Sequence, residues 1–222
     1  MSQSSRYNYK SYKPQKWGDD VYSSGIDCHD PFPMKSVVLD NLGRRVNLKK
    51  RFRGKQIVLE TGSLTCPSYV ANIEAMNSLA DDFPEICFIV LYVREENPGD
   101  VIPSVASMEQ KHDRAFFLEK LEDERRQIFA DGLQGNLHKQ IGTYPNLVYV
   151  IDPDGNVEYK RLWNKPGELR SHLEGSVMHR NQRRDERSVD FKTAFRVLFR
   201  AGPQALVNYI KSKPLMWKTR QE

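Results

Sequence analysis

The chain has 222 residues, 39% of them hydrophobic and 28% charged, and carries a net charge of +5 at neutral pH. These are globular values: about 140 residues can bury an ordinary core without staples, and the remainder forms extensions. Three cysteines at unrelated spacings, Cys28, Cys66 and Cys87, exclude a disulfide framework, and no stretch approaches the roughly 18 apolar residues of a membrane span.

The cysteine count fits a reducing compartment, and the opening residues hold no apolar core of a signal peptide, so a cytoplasmic protein without a membrane partner is expected. Charge is uneven. Residues 1–35 sum to +1, residues 36–175 to −3 and residues 176–222 to +7. The basic character therefore belongs to the C-terminal segment. Its acidic residues and apolar helix face point to a docked helix and away from nucleic acid.

Residues 1–35 show no apolar period and read as an irregular arm, either packed through Tyr7, Tyr9, Tyr12 and Trp17 or disordered. From Ser36 the pattern changes. Val37–Leu39, the turn Asn41-Leu42-Gly43, then Val46 and Leu48 predict a small hairpin. Gln56–Glu60 predicts a short strand. Ile86–Val93 predicts a second, apolar on both alternating sets, as in a sheet covered on both faces. Between them, Tyr69, Val70, Ile73, Met76, Leu79 and Ala80 follow helical spacing over Pro67–Ala80, and Pro67 suits the first turn. A strand, helix and strand in that order require a parallel crossover.

Ser107 to about Arg126 predicts a long charged helix, Gln127–Ala130 a strand, and Asn136–Ile141 a helical turn. Leu147–Ile151 and Val157–Trp163 predict an antiparallel pair across Asp152-Pro153-Asp154-Gly155, closed by a helix over Glu168–Leu173. The tail resumes helical spacing at Val189–Phe199 and, after Gly202-Pro203, at Ala205–Ile210. Two short helices are expected there, docked on the domain or on a partner chain. The class is α/β, a mixed sheet with helices on both faces in an order that resembles the thioredoxin-like folds. Its parts are an arm (1–35), the domain (36–175) and a basic helical extension (176–222).

The string Gly62-Ser63-Leu64-Thr65-Cys66-Pro67-Ser68-Tyr69 places Cys66 where a strand turns into a helix. Amide groups of the first turn and the helix dipole favour a thiolate there, the dipole by about 0.3–1 kcal/mol. The hydroxyls of Ser63 and Thr65 are candidates to add hydrogen bonds, and the sulfur is expected to be accessible. Pro145, before a strand and following this crossover, is expected to be cis and to face Cys66. Cys87, inside an apolar run, reads as a small core residue. Cys28 is either a resolving thiol or a chance surface residue. No Cys-x-x-Cys exists, since Tyr69 stands three residues after Cys66, so a distant cysteine or an outside thiol must restore the sulfur. The five histidines lack metal-ligand spacing, and no metal or other resident cofactor is expected.

The string Gly-Ser-x-Thr-Cys-Pro-x-Tyr, followed by Glu95-Glu96-Asn97-Pro98-Gly99-Asp100 after the next strand, resembles the iodothyronine deiodinase family within the redoxin and peroxiredoxin-like group. The similarity spans roughly Ser36 to Gly175. It implies thiolate chemistry at Cys66, which stands where that family has selenocysteine or cysteine, on a halogen or a peroxide oxygen of a small substrate. An outside thiol or a thioredoxin-type protein is the implied reductant. Asn97 stands at the position of the family's histidine near the substrate. The N-terminal anchor of the vertebrate enzymes has no counterpart here. A peroxiredoxin pattern is met at Ser63 but not at Leu59, where it has proline. A non-enzymatic interaction module using the arm and tail is the rival expectation, and pairing into a homodimer stays open.

Overall fold

The structure, a computed structural model, describes residues 7–10, 23–175 and 189–218. Tyr12, Trp17 and residues 176–188 lie outside the described residues.

The predicted hairpin forms from β1 (Val37–Leu39) and β2 (Arg45–Asn47). Asp40 organises its turn, with Oδ1 accepting from the amides of Leu42 and Arg44. The Asn47 side chain then caps a short α1 (Leu48–Arg51). Next come β3 (Ile57–Gly62), α2 (Pro67–Asp82) and β4 (Cys87–Tyr92), with β3 and β4 parallel as the crossover demands. Ser107 caps α3 (Met108–Glu122), and β5 (Gln127–Ala130) pairs parallel with β4. A short α4 (His138–Ile141) leads to the antiparallel pair β6 (Val148–Ile151) and β7 (Val157–Arg161). The last helices are α5 (Pro166–Leu173), α6 (Phe191–Ala201) and α7 (Pro203–Lys218). The sheet order is β2-β1-β5-β4-β3-β6-β7, so β3 and β4 occupy the middle.

Alternation along the central strands splits the core into two layers. Ile57, Leu59, Ile89 and Leu91 face one way, against Phe32, Phe52 and Ile141. Val90, Tyr92, Ile128 and Ala130 face the other way, beneath α2, α3 and Val197 of α6. The tail therefore docks on the domain itself.

That second layer also buries charge. Arg126 donates to Glu60 Oε2 at 2.6 Å and to Glu124 Oε2 at 2.6 Å, all three side chains at 1% exposure or less. Asn146 and Asn164 satisfy the other oxygen of Glu60 at 2.8 and 2.7 Å. Tyr69 donates to Glu124 and lies under the guanidinium.

The described piece of the arm works as a strap. Arg94 is buried between the rings of Tyr7 and Tyr9, 5.1 Å from each centroid. The Tyr9 hydroxyl bonds the Glu96 carbonyl at 2.6 Å, and a Cβ at Gly135 (φ +69°) would collide with the Tyr7 ring. Residues 29–32 run beside β7, with the His29 amide donating to Val157 and the Phe32 amide to Gly155.

His138, fully buried, has Nε2 2.9 Å from the Tyr144 carbonyl and Nδ1 2.9 Å from the Tyr7 hydroxyl. A carbonyl only accepts, so Nε2 carries the proton and Nδ1 accepts from Tyr7. Burial, then the nearby Arg94, hold its pKa well below the ordinary 6.5. A base depressed in the folded state supplies full stability above the unfolded pKa and loses it as pH falls. Stability should therefore drop by up to about 1.4 kcal/mol per pH unit below 6.5 from this group. Urea midpoints of the protein and of His138→Gln, compared from pH 7 to 5, check this; parallel pH profiles would show the imidazole to be unimportant.

Candidate active site around Cys66

β3 ends at Gly62, and the chain turns through Ser63-Leu64-Thr65 into α2, whose N-cap is Cys66. Two sequence features set the local geometry. Pro67 at the first helical position has the fixed φ that starts a helix and lacks the amide that would go unpaired. Gly62 has no side chain because the Tyr69 ring lies where a Cβ would stand. Cys66 adopts the extended conformation of an N-cap (φ −98°, ψ 103°), and its side chain makes no capping hydrogen bond. Within the helix the amides of Ser68 and Tyr69 have no partner four residues back.

Thr65 ties this turn to the loop after β4. Its Oγ1 donates to Glu95 Oε2 at 2.8 Å and accepts the Asn97 amide at 3.2 Å; Asn97 Nδ2 donates to the Thr65 carbonyl at 2.9 Å. The one hydroxyl proton of Thr65 is thus committed to Glu95, so Thr65 positions the loop and does not donate to the Cys66 sulfur. Ser63 Oγ receives the Glu96 amide at 3.4 Å. Tyr92 donates to the other oxygen of Glu95 at 2.5 Å, and Arg114 lies 3.4 Å away. Burial, then the Glu95 charge, push the Tyr92 hydroxyl pKa well above 10. Lys111 in the same region falls to about 8 through burial, countered by Asp131 and Glu95. Asn97 Oδ1 is buried with no hydrogen-bond partner.

The structure corrects two further expectations. Cys66 is not accessible: it is 1% exposed, clustered with Leu64, Val70 and Val197. The cover is α6, fastened by Arg200 Nη2 to the Leu64 carbonyl at 2.7 Å and by the amides of Val101 and Ile102 to the Ala201 carbonyl at 3.0 Å. Gly99 is required there, because a Cβ would strike that carbonyl. Pro145 is buried but trans, since no described peptide bond is cis. The Tyr144 carbonyl before it is held by His138, and the trans form keeps its ordinary advantage of about 0.5–1 kcal/mol.

Cys28 is not brought to Cys66. It packs on the first core layer beside Phe32, whereas Cys66 belongs to the layer across the sheet. Burial, ahead of the opposing Lys160, pushes the Cys28 thiol up, the wrong direction for a resolving nucleophile. Cys87 opens β4 beside Ile57, at the far end of the strand pair from Gly62. Ser63, Thr65 and Asn97 do converge on the Cys66 turn. Sequence reasoning missed Glu95 as their organiser and α6 as the cover. The charged Glu60 inside an otherwise apolar strand signalled the buried cluster.

Among the described residues, no three His, Cys, Asp or Glu side chains gather as a metal site, and no helix is long and apolar enough to cross a membrane. No family model matches the chain. Solved structures do align. A hypothetical protein from Sinorhizobium meliloti 1021 gives a TM-score of 0.53 at 16% identity, over 70% of this chain and 87% of its own. A putative thiol:disulfide interchange protein DsbE from Chlorobium tepidum gives 0.52 at 14%, over 68% and 99%. The fold is thioredoxin-like. The thioredoxin domain of a thiol-disulfide oxidoreductase from Bacteroides vulgatus also aligns, with 0.52 at 15% over 68% and 98%. None of these thioredoxin-like neighbours points to the deiodinases, and that resemblance rests on the two sequence motifs alone. In the thioredoxin-like frame of this chain, α6 closes over the helix start that carries Cys66, and the arm bonds the neighbouring loop at Glu96.

Proposed function

We propose that the chain is a thiol-dependent oxidoreductase in which Cys66 Sγ is the nucleophile and a hydroperoxide is the substrate. The observation that carries the reading is the N-cap position of Cys66, on the first helix after a central strand. A helix start favours the thiolate over the thiol. The aligned thiol:disulfide interchange protein and thiol-disulfide oxidoreductase domain share the frame and support a redox role.

Between a peroxide and a halogen, the proton decides. A thiolate attacking a hydroperoxide breaks the O–O bond, keeps one oxygen as sulfenate and releases an alcohol, the hydroperoxide's own proton going to the leaving oxygen. Reductive dehalogenation instead needs a proton delivered to carbon. Asn97, whose amide donates to Thr65, is no acid. Its unpartnered Oδ1 could accept the hydroperoxide proton during binding. Sulfenate then takes up a proton and condenses with an outside thiol, releasing water, and a second thiol returns Cys66 and leaves as a disulfide. With Tyr69 in place of a second cysteine and Cys28 across the sheet, that thiol comes from a small molecule or a thioredoxin-type protein.

The test is turnover of hydrogen peroxide and tert-butyl hydroperoxide with dithiothreitol or thioredoxin. One disulfide should form per peroxide, activity should vanish in Cys66→Ser and persist in Cys28→Ser, and thyroxine should yield negligible iodide. Wild-type turnover in Cys66→Ser would remove the mechanism, and robust iodide release would remove the peroxide assignment. The burial of Cys66 favours one other reading, a binding module that keeps the fold without chemistry. No turnover, together with alkylation of Cys66 tracking an ordinary thiol pKa near 8.5, would establish it.

A further inference from the structure

Beside the face that covers Cys66, α6 presents two parallel rows, the second of which turns back to the domain at Arg200. Phe191, Phe195 and Phe199 follow one another every four residues, and their rings stack at centroid separations of 6.1 and 5.7 Å. Lys192, Arg196 and Arg200 form the next row, one residue on in each case. At 3.6 residues per turn, the buried residues Ala194, Val197, Leu198 and Ala201 occupy roughly 100° of the helix; the phenylalanines extend that apolar sector by about another 100°, and the basic row borders it. The domain thus covers only part of the apolar face. Val207 and Ile210 of α7 are exposed as well.

We propose that this outer edge of α6–α7 is a docking surface for an anionic lipid bilayer. The phenylalanines are 79%, 44% and 61% exposed. At roughly 200 Å² per ring residue they offer about 350–400 Å², near half of the roughly 800 Å² that each partner contributes to a standard protein interface. An interfacial helix needs less, because a few inserted aromatic rings act together with charge attraction to the headgroups. Charge selects the partner. Helices α6 and α7 contain six Lys/Arg and no acidic residue, against the single Asp190 at the α6 N-cap, so a second copy would bring like charges together, whereas an anionic leaflet complements them. Glu122 of α3 pairs with Arg196 and Arg200 and tempers their share; Lys192 is fully on the outer side and exposed. Docking by the side chains of this edge leaves every helix on the surface of the bilayer and none across it.

Flotation of the full chain with vesicles tests this. Binding is expected to phosphatidylcholine:phosphatidylserine 3:1 vesicles at 0.1 M salt, with at least a tenfold loss for pure phosphatidylcholine and a marked loss at 0.5 M salt, where screening shortens the range of charge. Phe191→Ser/Phe195→Ser/Phe199→Ser should lose binding at least tenfold with unchanged circular dichroism. Lys192→Glu, remote from the buried face, should weaken it about tenfold and serves if the triple variant misfolds. No flotation, equal binding to neutral vesicles, or wild-type binding by both variants would overturn the proposal. So would a dimer by sedimentation equilibrium that the triple variant dissociates, since the aromatic row would then be a contact between copies.

Discussion

Arg126→Ala will destabilise the fold by about 3–5 kcal/mol, the range for breaking a buried ion pair and leaving its partner charge uncompensated. At about 2–4 °C per kcal/mol for a chain of this size, the melting temperature should fall by roughly 6–20 °C. The reason is geometric. The guanidinium bonds Glu60 with one nitrogen and Glu124 with two, and the structure buries all three side chains. Burial works against the charge on Arg126, but Glu60 and Glu124 more than offset it and hold its pKa above the ordinary arginine value. Without Arg126, two carboxylates face one another in a dry layer, with amide and phenol donors as their only hydrogen bonds. Adding Glu60→Gln and Glu124→Gln should recover much of the loss, because neutral amides need no counter-charge. Thermal melts of the single and triple variants measure both effects. A change under 1 kcal/mol in Arg126→Ala would mean that water or rearrangement already neutralises the cluster.

Cys66 in Arg200→Ala should be alkylated by iodoacetamide about 10–100-fold faster than in the wild type. A buried thiol reacts only from conformations in which its cover has lifted, so the rate reports that opening. Arg200 closes the cover through a bond to the Leu64 carbonyl and an ion pair with Glu122. A hydrogen bond made by a charged group contributes about 1.5–3 kcal/mol, which sets the expected factor. Peptide mapping separates Cys66 from Cys28 and Cys87. Equal rates in the two proteins would place the opening elsewhere, for example at the arm strap on Arg94 and Glu96.

The β3–α2–β4 crossover was legible because three independent signals agreed: apolar strands on both sides, a helical period between them, and Pro67 at the helix start. The hairpins were legible from Asn41-Leu42-Gly43 and from Asp152-Pro153-Asp154-Gly155; in the structure the side chains of Asp40 and Asp152 bond backbone amides of these turns. The tail helices could be read from period, but not their destination. An apolar face tells that something will cover it; which surface does so depends on shape, here on Gly99 admitting the Ala201 carbonyl. Thr65 was expected to add a hydrogen bond to the sulfur, but its proton goes to Glu95, a competition that depends on the loop after β4 and that local sequence does not encode. Pro145 misled because a proline before a strand serves either isomer, and the surrounding carbonyl contacts decide.

The strap through Tyr7 also sets an order of events during synthesis. Its contact with His138 spans 131 positions of sequence. At translation speeds of about 5–20 residues per second, the first described residue waits roughly 7–26 s before its partner has even been polymerised. Arg94 emerges in that interval with neither ring in place on the finished fold. The Tyr7–Tyr9 strap is thus among the last parts to be fastened, and a protease that trims it early would leave a domain whose interior arginine and imidazole meet solvent.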